Sequence, residues 1–156
     1  MKRLLLILFP VVILFACAKD PVLEVVDYSD SGCGLDEMSP LTKSLDDMEP
    51  ELILKDTPSG LSITRNYARM NCSVKNGGMA FEVSLEGDVI HYKAYEKDRN
   101  LLRCQCDVKT MSSTISGLRP GRKYVLDYTC DHEFSPITFT YEKDMEMKIL
   151  LGPYMP

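Results

Sequence analysis

The chain has 156 residues with a formal net charge of −5, and 45% of its residues are hydrophobic and 26% charged. These values exclude a large two-domain enzyme and a wholly disordered chain, and the negative charge argues against a protein that binds nucleic acid. Tryptophan is absent, so the aromatic part of the core must come from 8 tyrosines and 5 phenylalanines.

The N-terminus has the layout of a secretory signal that ends on a cysteine. Two basic residues in 1–3 precede an apolar run over 4–16, and Cys17 follows. This run is too short for a membrane span, which needs about 20 residues, but it fits a signal peptide. The sequence Leu14-Phe15-Ala16-Cys17 resembles the lipobox of bacterial lipoproteins. The resemblance implies that 1–16 is a lipoprotein signal peptide and that Cys17 is lipidated; the alternative is a signal peptide with a chance cysteine.

The residue after Cys17 bears on where an anchored protein would reside. In enterobacterial lipoproteins an acidic residue there signals retention in the inner membrane, and here the residue is Ala18. The resemblance therefore implies the outer membrane, with the protein facing the periplasm or the cell surface. Each buried CH₂ of an acyl chain contributes about 0.8 kcal/mol, so several chains make attachment effectively permanent. The membrane is thus an expected partner.

An acidic segment follows the expected anchor. Residues 20–60 hold eleven acidic and two basic residues, whereas 61–156 hold twelve acidic and thirteen basic residues. Apolar residues before residue 50 show no sustained period, and turn-forming residues recur among them. We predict that 17–50 is the lipidated cysteine with a mostly flexible tether and that 51–156 is the folded domain. The alternative is that part of the tether packs on the domain.

From residue 61 onward the sequence alternates apolar and polar residues, a pattern typical of β-strands. The alternation is clear over 79–86, 90–95, 123–130 and 137–141, with glycine turns at 76–78 and 87–88. No window longer than one or two helical turns has helical spacing. About seven short strands separated by turns predict an all-β fold, an antiparallel β-sandwich.

Residues 115–124 resemble a strand crossing of fibronectin type III domains. Leu118, Pro120 and Gly121 form the turn, and Tyr124 stands where that family has a tyrosine corner. In such a corner the tyrosine hydroxyl binds the loop backbone. The resemblance implies an immunoglobulin-like sandwich of the fibronectin type III kind, although the tryptophan usual in that family's core is missing.

Five cysteines remain after Cys17, and an exported, oxidising location permits disulfides among them. The odd number leaves at least one thiol unpaired within a monomer. Alternation points four of them toward the core, and these are the disulfide candidates: Cys72, Cys104, Cys106 and Cys130. On a predicted strand the Cα atoms of Cys104 and Cys106 would stand about 6.7 Å apart, which is near the limit for a disulfide. We therefore expect either cysteine to bond to Cys72 rather than to the other.

The same cysteines allow one further resemblance and one alternative function. Asn71-Cys72 followed by Cys104-Gln105-Cys106-Asp107 resembles small uncharacterised lipoproteins of Bacteroidetes, which implies no activity. Cys72, Cys104 and Cys106, with Cys130 or a histidine, would also suit a soft metal. However, Cys-x-Cys is not the Cys-x₂-Cys knuckle of zinc sites, and we favour disulfides.

Little else in the chain points to catalysis. His91 lies on the polar face of its strand, and Asp131-His132-Glu133 lies in a predicted loop. The motifs of serine hydrolases, zinc proteases and nucleotide-binding proteins are absent. We therefore predict no catalytic residue, metal or cofactor, and a non-catalytic binding or structural module with a protein or glycan ligand. The alternative is a small metal- or thiol-dependent enzyme of the envelope.

Overall fold

A computed structural model describes residues 21–33, 50–71, 74–97, 105–130 and 134–152. These residues form nine strands, which confirms the all-β prediction, with two strands more than the seven expected. No helix with the length and hydropathy of a membrane span occurs in this part of the chain. The strands are β1 Glu24–Asp30, β2 Glu51–Thr57, β3 Gly60–Asn71, β4 Met79–Glu86, β5 Val89–Glu96, β6 Gln105–Ser116, β7 Lys123–Thr129, β8 Ile137–Thr140 and β9 Glu146–Leu150.

The strands form two sheets that pack into a sandwich. One sheet has the order β1-β6-β3-β2-β9 and the other the order β4-β5-β7-β8. β5 and β7 run parallel, with Val89 opposite Val125, so the prediction of purely antiparallel sheets is corrected at this pair. The cause is the path of the chain: it crosses from β5 to β6 in the other sheet and then returns as β7. Immunoglobulin domains have two antiparallel sheets, and this pair departs from that arrangement.

The core lies between the two sheets and is built from the inward positions of the alternation. Tyrosines take the place of the missing tryptophan, and the rings of Tyr92 and Tyr128 stack with centroids 5.4 Å apart. The hydroxyl groups of Tyr92 and Ser113 lie 2.7 Å apart and join the two sheets. Fully buried residues include Leu52, Leu54, Leu61, Ile63, Ile90, Ile115, Tyr124 and Leu126.

The buried positions of β3 change phase at Tyr67. This residue has a positive φ of 57°, so inward positions before it end at Arg65 and resume at Ala68. Arg65 is 1% exposed, and its guanidinium carbon lies 5.3 Å from the centre of the Phe134 ring. A positive φ at a non-glycine residue is costly, and the surrounding ladder with β6 must hold it. Period-two counting along the sequence does not foresee such a change.

Residues 21–33 belong to the sandwich, so the tether prediction is wrong for them. β1 pairs with β6, from Glu24 opposite Ser116 to Asp30 opposite Met111. Leu23 is buried just before the strand begins. The sequence did not predict β1 because its apolar side chains are largely exposed and therefore show no alternation. This edge strand is held by backbone hydrogen bonds to β6. The rest of the predicted tether, 34–49, lies outside the described residues.

One end of the sandwich, which we call the entry end, receives the chain at Val22. It also holds the turns at 57–60, 87–88, 117–122 and 141–145. A Cβ placed on Gly117 would lie only 2.5 Å from the Val22 carbonyl oxygen, which shows how closely β1 enters beside the 117–122 turn. The Tyr141 hydroxyl donates to Asp56 at 2.6 Å and joins the sheets there.

The opposite end, which we call the far end, holds Cys33 and the turn at 74–78. The Asp30 carboxylate accepts hydrogen bonds from the backbone N–H groups of Gly77 and Met79, so β1 is joined to the start of β4. The Asn71 N–H donates to Glu96 at 2.6 Å and joins the ends of β3 and β5.

The buried tyrosines predict a loss of stability at alkaline pH. Burial raises the pKa of the Tyr92 and Tyr128 hydroxyls well above the ordinary value of about 10. Burial and the hydrogen bond to Asp56 raise the pKa of Tyr141 to about 12. The unfolded chain loses these protons near pH 10 while the folded chain keeps them, so the free energy of unfolding must fall as pH rises above about 10.

Urea unfolding at several pH values between 8 and 12 would measure this effect. We expect a plateau up to about pH 10 followed by a decline, and a shallower decline in Tyr141→Phe, which has no hydroxyl to titrate there. A free energy of unfolding that stays constant up to pH 12 would contradict the prediction.

Candidate ligand-binding trough on the four-stranded sheet

The outward face of the four-stranded sheet carries an open cavity of about 450 Å³, which we call the trough. β4, β5 and β7 supply its lining from the polar positions of the same alternation that fills the core. Because β5 is hydrogen-bonded to β4 on one side and to β7 on the other, the backbone beneath the trough is fixed by the sheet. The polar side chains that line it are Glu82, Ser84, His91, Lys93, Asp127 and Thr129.

Strand register places three of these side chains in one row across the sheet. Ser84 is opposite His91 on β5, and His91 is opposite Asp127 on β7. His91 Nδ1 lies 2.9 Å from Asp127 Oδ2, and Nε2 lies 3.7 Å from Glu86 Oε2. A carboxylate only accepts, so Nδ1–H donates to Asp127 and, in the neutral ring, Nε2 is an acceptor.

A second row lies beside the first and consists of Glu82, Lys93 and Thr129. The Tyr95 hydroxyl donates to Glu82 Oε1 at 2.6 Å. Lys93 Nζ lies 5.5 Å from the centre of the Tyr95 ring. Together the two rows present carboxylates, an ammonium group, hydroxyls and an imidazole, so the trough mixes hydrogen-bond donors and acceptors.

The row of Ser84, His91 and Asp127 contains the residue types of a serine hydrolase triad but a different geometry. In those enzymes the imidazole holds the serine hydroxyl within about 2.6–3.2 Å, and backbone N–H groups stabilise the oxyanion. Within the described residues Ser84 makes no hydrogen bond to His91, whose Nε2 faces Glu86 instead. The backbone N–H groups of β5 take part in pairing with β4 and β7, so they are not placed to stabilise an oxyanion. The row therefore lacks the serine–imidazole hydrogen bond on which acyl transfer by such a triad depends.

The described cysteines form one disulfide, between Cys33 and Cys106, with Cα atoms 5.7 Å apart. A disulfide at Cys106 was predicted, but the alternative with Cys72 as its partner is wrong. Cys33 was missed as a partner because it follows a strand hidden in the predicted tether. Cys72 and Cys104 lie outside the described residues, so a bond between them stays a prediction, and Cys130 is a half-buried thiol.

Other predicted site residues lie away from the trough or outside the described residues. Cys17 and the segment 131–133 belong to the second group. No set of three or more His, Cys, Asp or Glu side chains in the described ranges is placed to hold a metal ion. His91 was correctly assigned to a polar face, but its contact with Asp127, 36 residues away, was missed because no local pattern reports it.

The turn at the entry end has the hydrogen bond of a tyrosine corner. Tyr124 is fully buried, and the Arg119 backbone N–H donates to its hydroxyl at 2.9 Å. Leu118 packs against the core, and Gly121 has a positive φ of 79°, as a turn of this shape requires. The corner thus holds the 117–122 turn to the start of β7.

Replacing Tyr124 with Phe is expected to lower the free energy of unfolding by about 1 kcal/mol, because the ring stays packed while the partly buried N–H of Arg119 loses its acceptor. Thermal unfolding followed by circular dichroism would measure the change. Tyr28→Phe is the matched control, since the Tyr28 ring is half exposed and its loss of a hydroxyl should have little effect. Equal losses in the two variants would contradict the prediction.

Comparisons with protein-family models, curated proteins and solved structures gave no match for this chain. Its class therefore rests on the fold and the site alone. They define a small, disulfide-bonded β-sandwich domain with an open polar trough on one sheet.

Proposed function

We propose that the protein is a lipid-anchored lipoprotein of the cell envelope, on the outer membrane, that binds a ligand without catalysing a reaction. The lipobox-like sequence ending at Cys17 supports the anchor. The Cys33–Cys106 disulfide fits an oxidising compartment outside the cytoplasm. The open trough, with its mixture of donors and acceptors, supports a binding role.

The short distance along the chain from Cys17 to the buried residue Leu23 carries the proposal. Leu23 is buried at the entry end, and only residues 18–22 separate it from Cys17. A fully extended chain spans about 3.3–3.6 Å per residue, so this segment reaches roughly 20 Å. A lipid on Cys17 would hold the entry end against the membrane surface and direct the far end away from it.

This orientation leaves the binding surfaces accessible. The trough lies on the outward face of the four-stranded sheet, on the flank of the sandwich. The entry end has short turns, which suit a surface that lies close to a membrane.

Metabolic labelling with palmitate in a lipoprotein-processing bacterium would test the anchor. We expect the wild-type chain to carry the label, to sediment with outer membranes and to begin at Cys17 by mass spectrometry. Cys17→Ser should lose the label, whereas Cys130→Ser, the matched control at another cysteine, should keep it. An unlabelled wild-type protein that retains residues 1–16 would refute the proposal.

A further inference from the structure

We propose that the trough binds a neutral pyranose ring, which is a sugar unit without a carboxylate, sulfate or amine group. The proposal rests on the proposed function only in treating the protein as a binding module, and it does not depend on the anchor.

The size of the trough suits a small ligand. Its volume of about 450 Å³ lies within the range of roughly 300–1,000 Å³ typical of small-molecule sites. Because the trough is open to solvent, a ring lying on it would keep one face in water. Such a site accommodates one sugar unit whose neighbours in a longer glycan extend into solvent.

The hydrogen-bonding groups suit a ligand that both donates and accepts at closely spaced positions. Asp127 and Glu82 each accept one hydrogen bond, from His91 and Tyr95, and a carboxylate has capacity for more. Lys93 can donate, and the hydroxyls of Ser84 and Thr129 can donate or accept. Adjacent sugar hydroxyls supply both roles within one ring, so they match this alternation of groups.

Charge disfavours the other ligand classes. The carboxylates of Glu82 and Asp127 line the trough with one ammonium group, that of Lys93, and the carboxylate of Glu86 lies beside His91, so an anionic sugar or a phosphate would be repelled. An apolar ligand would bury these groups without hydrogen-bond partners, which is costly. The remaining rival is a cationic ligand, which the carboxylates would attract and Lys93 would oppose.

The site is held in place before a ligand arrives. Asp127 orients the imidazole of His91, and Tyr95 orients the carboxylate of Glu82. Both pairs stand on strands that are hydrogen-bonded to their neighbours. Little side-chain ordering is then needed on binding, which reduces the entropy cost of association.

Amide chemical shifts of the ¹⁵N-labelled full chain, in a detergent without sugar headgroups, would test the proposal. The probes are the methyl pyranosides of glucose, galactose and mannose, with glucuronate and glucosamine as charged counterparts. We expect at least one neutral pyranoside to shift amides of β4, β5 and β7 around the trough, with a Kd of about 1–10 mM. Glucuronate should bind more weakly than its neutral counterpart.

Variants then assign the binding to the trough. His91→Ala and Asp127→Asn should each weaken the best neutral pyranoside by about fivefold or more, as expected for a lost hydrogen bond. Thr138→Ala is the matched control, because Thr138 is exposed on the same sheet but outside the trough. It should leave the Kd unchanged.

Several results would overturn the proposal. They are the absence of shifts with every neutral pyranoside, shifts confined to other surfaces, and tighter binding of glucosamine than of any neutral sugar. The last result would indicate a cation site. Failure here is distinguishable from failure of the proposed function. If no sugar shifts the amides of the trough but palmitate labelling is intact, only the sugar-binding proposal is wrong. If a sugar binds but the chain is not labelled, only the proposed anchor is wrong.

Discussion

The double variant Cys33→Ser/Cys106→Ser is expected to unfold with a free energy about 4 kcal/mol lower than that of the oxidised wild-type protein. The disulfide joins residues 73 positions apart, so in the chain-entropy model its loss frees a long loop in the unfolded state. In the folded state it fastens the end of β1 to the start of β6. Changing both cysteines avoids leaving a new thiol that could exchange with the other cysteines.

Urea unfolding of the double variant, and of the wild type with and without dithiothreitol, would measure this difference. Reduced wild-type protein should resemble the double variant. Cys130→Ser is the matched control, because this half-buried residue is a thiol in the structure and its change should cost much less. Equal midpoints for oxidised and reduced wild-type protein would contradict the prediction.

Replacing Asp30 with Ala is expected to cost about 3–5 kcal/mol. Asp30 is only 7% exposed, and its carboxylate accepts hydrogen bonds from the backbone N–H groups of Gly32, Gly77 and Met79 at 3.0, 2.9 and 3.1 Å. Hydrogen bonds to a charged group contribute about 1.5–3 kcal/mol each, and the three are not independent. Without the carboxylate, these N–H groups lose their shared acceptor and β1 loses its attachment to the 74–78 turn.

Hydrogen exchange gives a readout that is local to this contact. The amides of Gly77 and Met79 should exchange faster in Asp30→Ala under native conditions, beyond the change that global stability explains. Asp27→Ala is the matched control, since Asp27 lies exposed on the same strand and its change should stay within about 0.5 kcal/mol. If both variants lost the same stability, the carboxylate of Asp30 would have no special role.

The alternation of apolar and polar residues was sufficient to predict the fold class and much of the core. Tyr92, Tyr124 and Leu126 were assigned inward positions from their own neighbours in sequence, and all are buried. The tyrosine corner was expected from the resemblance of residues 115–124 to fibronectin type III domains, and its hydrogen bond spans only five residues. In these cases the burial or contact depends on a short segment, so the local sequence contains the information.

β1 and the partner of Cys106 could not be predicted in this way. An edge strand with half-exposed side chains such as Val26 and Tyr28 leaves no apolar alternation to detect. Its position is set by its hydrogen bonds to β6 and by those that the Asp30 carboxylate accepts from Gly77 and Met79, all between residues far apart in sequence. Since Cys33 follows this strand, a sequence analysis that does not detect the strand also does not identify Cys33 as the partner of Cys106.

For the strands that alternate clearly, such as β4, β5, β7 and β8, the sequence by itself determined which face is apolar, because burial requires a period of two wherever one face meets a core. Only the tertiary structure decided which strands are neighbours. The trough depends on that decision: Ser84 meets His91 through a hairpin, but Asp127 joins them only because β7 returns parallel to β5 after the chain has crossed to the other sheet. Strand order results from packing two sheets over one core, and no segment of the chain encodes that balance locally.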